Sequence, residues 1–187
     1  PSLPGAFGTT LETIPADVPY ITPDKNLIES WRANLPHESR LKIGVAWAGS
    51  ALHSNDRNRS LPPGALAPLA ESANAVFYTL QPENAATSGL PVIECTSGLY
   101  DFAQTAALIA NLDLIISVDT AVAHLAGAMG KPIWLLLPFV PDWRWMLARE
   151  DSPWYPTMRL FRQPRRHDWE TPIRQIAAEL AQFGNPR

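Results

Sequence analysis

Asp119-Thr120-Ala121-Val122-Ala123-His124 is the stretch whose residue types and spacing best suit chemistry on an anion. An apolar run, Ile115-Ile116-Ser117-Val118, leads straight into it, and an alanine-rich segment follows. A strand that turns directly into a helix leaves the first helical amides without partners, and the helix dipole favours negative charge there. Thr120 and His124 are four apart and share a helix face, so a hydroxyl and an imidazole join the Ala121 and Val122 amides. Asp119 is ambiguous, because an aspartate N-cap competes with a phosphate for the same N–H groups. The alternative reading of this turn is a capped core helix whose histidine satisfies a backbone carbonyl.

Three other segments are expected to converge on this turn. Gly49–Ser60 carries Ser50, His53, Arg57 and Arg59; Gln81 follows the second strand; Pro138–Arg144 offers aromatic surface. An arginine beside Thr120 would neutralise the charge that builds on a departing diphosphate. A solvated loop with internal ion pairs is the alternative for Arg57 and Arg59. Arg162, Arg165, Arg166 and His167 form a second basic run, expected to be a solvated face away from the convergence. Trp143, Trp145, Trp154 and Tyr155 suit either stacking on a base or sugar face or packing against a neighbouring domain. The chain has no G-x-G-x-x-G and no G-x-x-x-x-G-K-[ST] motif. The histidines at 37, 53, 124 and 167 lack metal-ligand spacing, so no metal is expected.

The elements that must position these residues alternate along the chain. Apolar runs predict strands at Lys42–Trp47, Ala75–Leu80, Pro91–Glu94, Asp113–Val118, Ile133–Leu137 and Met158–Arg162. Between them, Asp24 caps a helix with Leu27, Ile28, Trp31 and Leu35 on one stripe, stopped by Pro36. Pro62-Pro63 opens a short helix that Pro68 kinks or ends. Asp101 starts a helix with Gln104 in capping-box position and Phe102, Ala106, Ile109 and Leu112 inward. Thr120–Met129 is a helix closed by Gly130. Thr171 caps a last one, with Ile173, Ile176, Ala177 and Leu180 inward. Alternation without hairpin signals predicts a doubly wound, parallel α/β sheet of about six strands. In such sheets ligands bind beyond the carboxyl ends of the strands, where strand order reverses.

Bulk composition narrows the function. At 187 residues with net charge −3, the chain suits one core and argues against a general nucleic-acid or membrane-surface binder. Cys95 is the single cysteine, so no internal disulfide is possible, which fits a reducing, cytoplasmic setting. No apolar run is long enough to span a bilayer. The chain opens on Pro1 rather than Met and reads as a piece of something longer. Residues 1–40 are expected to be a Pro-rich linker or strap with a short helix, and 41–187 the α/β domain.

Five stretches carry a family resemblance. They are Lys42-Ile43-Gly44-Val45-Ala46-Trp47-Ala48-Gly49, Asn55-Asp56-Arg57-Asn58-Arg59-Ser60, Asp101-Phe102-Ala103-Gln104-Thr105-Ala106, Val118-Asp119-Thr120-Ala121-Val122-Ala123-His124-Leu125-Ala126-Gly127 and Pro141-Asp142-Trp143-Arg144-Trp145. Together they resemble the C-terminal glycosyltransferase region of bacterial tetratricopeptide-repeat proteins. That region is similar to lipopolysaccharide heptosyltransferases and, more distantly, to O-linked N-acetylglucosamine transferases. The likeness covers roughly residues 40–183. It implies the donor half of a GT-B glycosyltransferase, with two Rossmann-like domains facing across a cleft. It further implies that Asp119, Thr120, Ala121 and His124 contact the donor's diphosphate and sugar, with Ala121 standing where the family has glycine. A basic residue assists the leaving diphosphate, here Arg59 or, second, Arg57.

The expected set is therefore Arg59 and His124 as catalytic groups, with Ser50, Arg57, Gln81, Asp119, Thr120, Ala121 and Val122 binding a nucleotide-diphosphate sugar without metal or other cofactor. The resemblance places the acceptor domain and catalytic base outside this chain, so the fragment alone is not expected to turn over. Two other readings compete. One is a degenerate, non-catalytic GT-B domain docking a partner through Trp143, Trp145 and Trp154. The other is a sugar-nucleotide epimerase or hydrolase half.

Overall fold

A computed structural model of the chain describes residues 3–50, 52–72, 74–81 and 89–183. The strands are β1 (Leu41–Ala46), β2 (Ala75–Thr79), β3 (Val92–Ile93), β4 (Leu114–Val118), β5 (Ile133–Leu137) and β6 (Met158–Arg162). All pair in parallel, in the order β3-β2-β1-β4-β5-β6. The chain thus runs outward from β1 to β3, then crosses back to lay β4 against the other side of β1. Strand order reverses between β1 and β4, and a crevice is expected there. This is the doubly wound parallel sheet that the alternating pattern predicts.

Two apolar layers sandwich the sheet. Ile43, Val45, Leu114, Ile116, Val118, Trp134 and Leu136 point to one face, where they meet α6 (Glu170–Leu180) through Ile173, Ile176 and Leu180. Ala46, Ile115, Ile133, Leu135 and Leu137 point to the other, against α4 (Phe102–Ala110) and α5 (Ala121–Ala128). Period-two alternation between two buried faces explains why β4 and β5 read as unbroken apolar runs. α2 (Lys25–Asn34) lies outside α4, where Trp31 Nε1 donates to Gln104 Oε1 at 2.9 Å and Asn111 Nδ2 donates to the Ile28 carbonyl at 3.0 Å. Cys95 is buried in the second layer, and burial pushes its thiol up to about 11.

Several local expectations are corrected. β1 stops at Ala46 because the Trp47 and Ala48 N–H groups donate to Gln81 Oε1, at 3.2 and 2.9 Å. No helix opens at Pro62-Pro63; a 3-10 turn at Ala67–Leu69 takes Pro68 inside it. Phe102 is 62% exposed, since as the first residue of α4 it precedes the face that packs inward. α6 begins at Glu170 after the N-cap Trp169, so Thr171 does not cap it; the Thr171 N–H instead donates to the Asp168 carboxylate at 3.1 Å. Besides α2, the Pro-rich strap holds a short helix, α1 (Leu3–Ala6), and a 3-10 turn (Leu11–Thr13). The extended remainder crosses the end of α5, with the Tyr20 and Ile21 N–H groups donating to the Ala128 carbonyl at 2.9 and 3.2 Å.

Candidate functional site

The reversal point is built first from β1 and β4, whose ends pair at Ala46 and Ser117. Beyond β1 the chain loops through a single helical turn, α3 (Asp56–Arg59). Arg59 reaches back to β4, where its Nη1 donates to the Asp119 carbonyl at 2.7 Å. Its Nε donates to Asp56 Oδ1 at 3.2 Å, and Ser60 Oγ donates to the same oxygen at 3.0 Å. The Gly49 N–H closes the loop on Ser60 Oγ at 3.0 Å. A Cβ at position 49 would land on Arg59 Nη2 and Asp56 Oδ1, so glycine is what admits the guanidinium here. A side chain only 14% exposed and braced at both ends places a cation at the mouth of the sheet.

Across from it, β4 turns into α5. Thr120 is the N-cap, extended at φ −136° and ψ 171°, yet its side chain makes no capping hydrogen bond. Its hydroxyl lies 3.2 Å from Ser117 Oγ, which in turn donates to the Val118 carbonyl at 2.7 Å. Asp119 does not cap either. Its Oδ1 sits 3.7 Å from His124 Nε2, beyond a formed hydrogen bond but within electrostatic reach. Burial would raise the Asp119 pKa, but the His124 and Trp145 N–H groups and the nearby Arg144 charge outweigh it, so the carboxyl stays below its ordinary range. Trp145, fully buried, stacks on His124 with centroids 5.3 Å apart. The ambiguity of Asp119 resolves by geometry: its carboxylate serves the imidazole and its carbonyl serves Arg59.

The facing wall comes from the loops after β5 and β6: Phe139, Val140, Asp142, Arg144, Gln163, Arg166 and His167. Gln163 is buried and fixes this wall by accepting the Phe139 N–H at 3.1 Å. Arg144 Nη1 pairs with Asp142 Oδ1 at 3.3 Å. His167, at the rim, has φ +65°, a left-handed backbone uncommon outside glycine. Between the walls lies a cavity of about 560 Å³, also bordered by His53, Asn55, Asn58, Arg59, Asp119, Thr120, Ala121 and His124. Its volume suits a ligand of nucleotide size. Among the described residues three guanidiniums border it against two carboxylates, a balance that favours an anion.

The structure brings Arg59, Asp119, Thr120, Ala121 and His124 together on this cavity. Four expected residues do not border it. Ser50 and Arg57 are exposed on the loop before it, Gln81 ties the ends of β1 and β2, and Val122 turns toward the second apolar layer. The second basic run splits, correcting the expectation of a remote solvated face: Arg166 and His167 border the cavity, Arg162 Nη2 donates to the Trp145 carbonyl at 3.0 Å, and Arg165 is exposed. The signal was available, because every strand of a parallel sheet ends on the same edge and β6 is one of them. Trp145 is core, so it cannot belong to an aromatic docking face; Trp143 remains 62% exposed, edge-on to Trp154. Among the described residues no group of three or more His, Cys, Asp or Glu is placed to hold a metal, and no helix is long and apolar enough to cross a membrane.

Comparisons with known proteins agree with this architecture. Residues 92–136, from β3 nearly to the end of β5 and including the whole Asp119–His124 turn, match the model of Glycosyltransferase family 9 (heptosyltransferase). The fold is similar to the structure of Escherichia coli ADP-heptose LPS heptosyltransferase II, with TM-score 0.57 and 17% identity over 91% of this chain and 56% of that one. It is also similar to the family 9 glycosyl transferase from Veillonella parvula, with TM-score 0.56 and 16% identity over 76% of this chain and 42% of that one. Protein FlbA of Caulobacter vibrioides is 28% identical over 93% of this chain. The chain spans 31% of that relative's length. The six-stranded α/β sheet is thus of the kind seen in heptosyltransferase structures, and its central segment carries a family 9 glycosyltransferase match.

Proposed function

We propose that this chain is the donor-binding half of a metal-independent glycosyltransferase that uses a nucleotide-diphosphate sugar. The observation that carries the reading is the Arg59 guanidinium, braced on the Asp119 carbonyl beside the uncapped start of α5. The two sides of this cradle come from different loops, yet they meet where strand order reverses. The family 9 match over the same turn supports it.

In the proposed reaction an acceptor hydroxyl attacks the anomeric carbon of the donor. The bond from that carbon to the phosphate oxygen breaks, and the nucleoside diphosphate leaves. Arg59 and the Ala121 amide stabilise the charge that grows on the leaving oxygen, the place where preorganised donors act most strongly. The Thr120 hydroxyl contributes only after rotating away from Ser117. The acceptor's proton passes to a base on a part of the protein outside this chain, which also supplies the acceptor site. His124 lies one turn into α5 and meets the sugar or ribose.

Calorimetric titration with ADP, GDP, UDP and CDP tests this directly. One of them binds the wild-type chain, and Arg59→Ala and Thr120→Val both weaken it. Equal affinity in the wild type and both variants would remove the mechanism.

A further inference from the structure

His124 is held more completely than a ligand contact requires. Trp145 covers one face of the ring, with planes 25° apart. Tyr155 meets it edge-on, with centroids 5.8 Å apart, and puts its hydroxyl 3.0 Å from His124 Nδ1. Nε2 looks toward Asp119. The Tyr155 ring is gripped in turn by helix α5 itself: a Cβ on Gly127 would stand 2.5 Å from Tyr155 Cγ. Tyr155 is buried, and Tyr20 lies beside it on the strap anchored to the Ala128 carbonyl.

Donor and acceptor inventories fix the direction of the protons. An ionised Asp119 only accepts, so of the two neutral tautomers its charge favours the one with the proton on the nitrogen facing it, Nε2. Nδ1 is then a bare lone pair, and the group opposite must donate. Tyr155 is able to do so, because burial raises its pKa and keeps its proton on, and its hydroxyl lies within hydrogen-bond distance of that nitrogen. A ring nitrogen is fixed in this way wherever its opposite nitrogen has one committed partner.

We propose that Tyr155 is a positioning residue: its hydroxyl donates to His124 Nδ1, fixes the Nε2–H tautomer, and aims that N–H at the cavity beside Asp119 for an oxygen of the bound donor. The final clause rests on the donor-binding reading; the tautomer does not.

Long-range proton–nitrogen spectra of the chain labelled with 15N-histidine decide it, with His124 assigned from the signals lost in His124→Gln. At neutral pH the wild type is expected to show a bare Nδ1 and a protonated Nε2. Tyr155→Phe keeps the ring against Gly127 and is expected to shift His124 toward a mixture of tautomers. A protonated Nδ1 in the wild type, or an unchanged pattern in Tyr155→Phe, overturns the proposal. If Tyr155→Phe does not fold, the wild-type spectrum decides alone. Calorimetry with ADP, GDP, UDP and CDP on the same proteins reads the function. Affinity for the nucleotide that binds is expected to fall about tenfold, the loss of one well-placed hydrogen bond. An unchanged affinity beside an altered tautomer overturns the link to the donor. If no nucleotide binds the wild type, the donor-binding reading fails and the spectra still test the positioning role.

Discussion

Helices α4 and α5 both start beside an aspartate, and they begin in opposite ways. At α4, Asp101 is the N-cap and its carboxylate accepts the Gln104 N–H at 2.8 Å. α2 is built likewise on Asp24, and the Asp168 carboxylate serves the start of α6. At α5 the aspartate sits one residue early. Asp119 gives its carbonyl to Arg59 and its carboxylate to His124, and Thr120 caps nothing. A capped terminus uses its first amides inside the protein, whereas an uncapped one keeps them for a ligand. Helix α4 is therefore fastened for stability, and α5 is left open where the cavity lies.

The contrast breaks most clearly at Arg59. Arg59→Ala removes a cation from the open end, and nucleotide affinity should fall thirtyfold or more, a loss of about 2 kcal/mol for a charge-assisted contact. Calorimetry that finds less than a threefold change would mean the cradle does not hold the phosphate. Gly49→Ala should act on the same arginine without touching its charge. The added methyl displaces the guanidinium, so affinity drops about tenfold, and circular dichroism should still report a folded sheet.

At the capped end the effect should change kind. Asp101→Ala costs about 1 kcal/mol of stability, as loss of a helix cap does, which lowers Tm by about 2–4 °C in a chain of this size. Nucleotide affinity should not move. A binding defect in Asp101→Ala would erase the distinction between the two helices.

The smallest effect concerns acid. The Asp119 carboxyl is pressed upward by burial, but the His124 and Trp145 N–H groups nearby and the Arg144 charge outweigh it and hold it low. A folded pKa below the unfolded value gives stability that is present above the ordinary carboxylate range near 4 and lost as pH falls through the lower folded value. The Tm gap between wild type and Asp119→Asn should therefore be widest near neutrality and shrink below about pH 4. A constant gap across melting curves from pH 6 to pH 3 would show that the carboxylate charge contributes nothing.

Much of the fold was legible because its signals are local. Strands buried on both faces must be continuously apolar, and Ile133–Leu137 has the predicted bounds; the edge strand Met158–Arg162 does too. Asp24 and Asp101 cap as their positions predict, and Gly130 takes φ +67° just past α5. What escaped depends on distant partners. Trp145 looks like a surface aromatic among charged neighbours, and only the fold shows it stacked under His124. Gln81 looks like a site residue at a strand end, but its amide oxygen is taken by two backbone N–H groups just past the end of β1. Arg166 and His167 were misplaced because distance along the chain stood in for position on the sheet. Tyr155 gives no local hint of its partner, which lies thirty-one residues earlier.

The buried thiol of Cys95 has a practical corollary. It is the sole cysteine of the chain, enclosed in the core and, with its ionisation pushed to about 11, poor in thiolate at neutral pH. A cysteine introduced on the exposed rim, as at Val140, would react with a maleimide dye almost alone. The wild-type background thus needs no removal before fluorescence reports ligand entry.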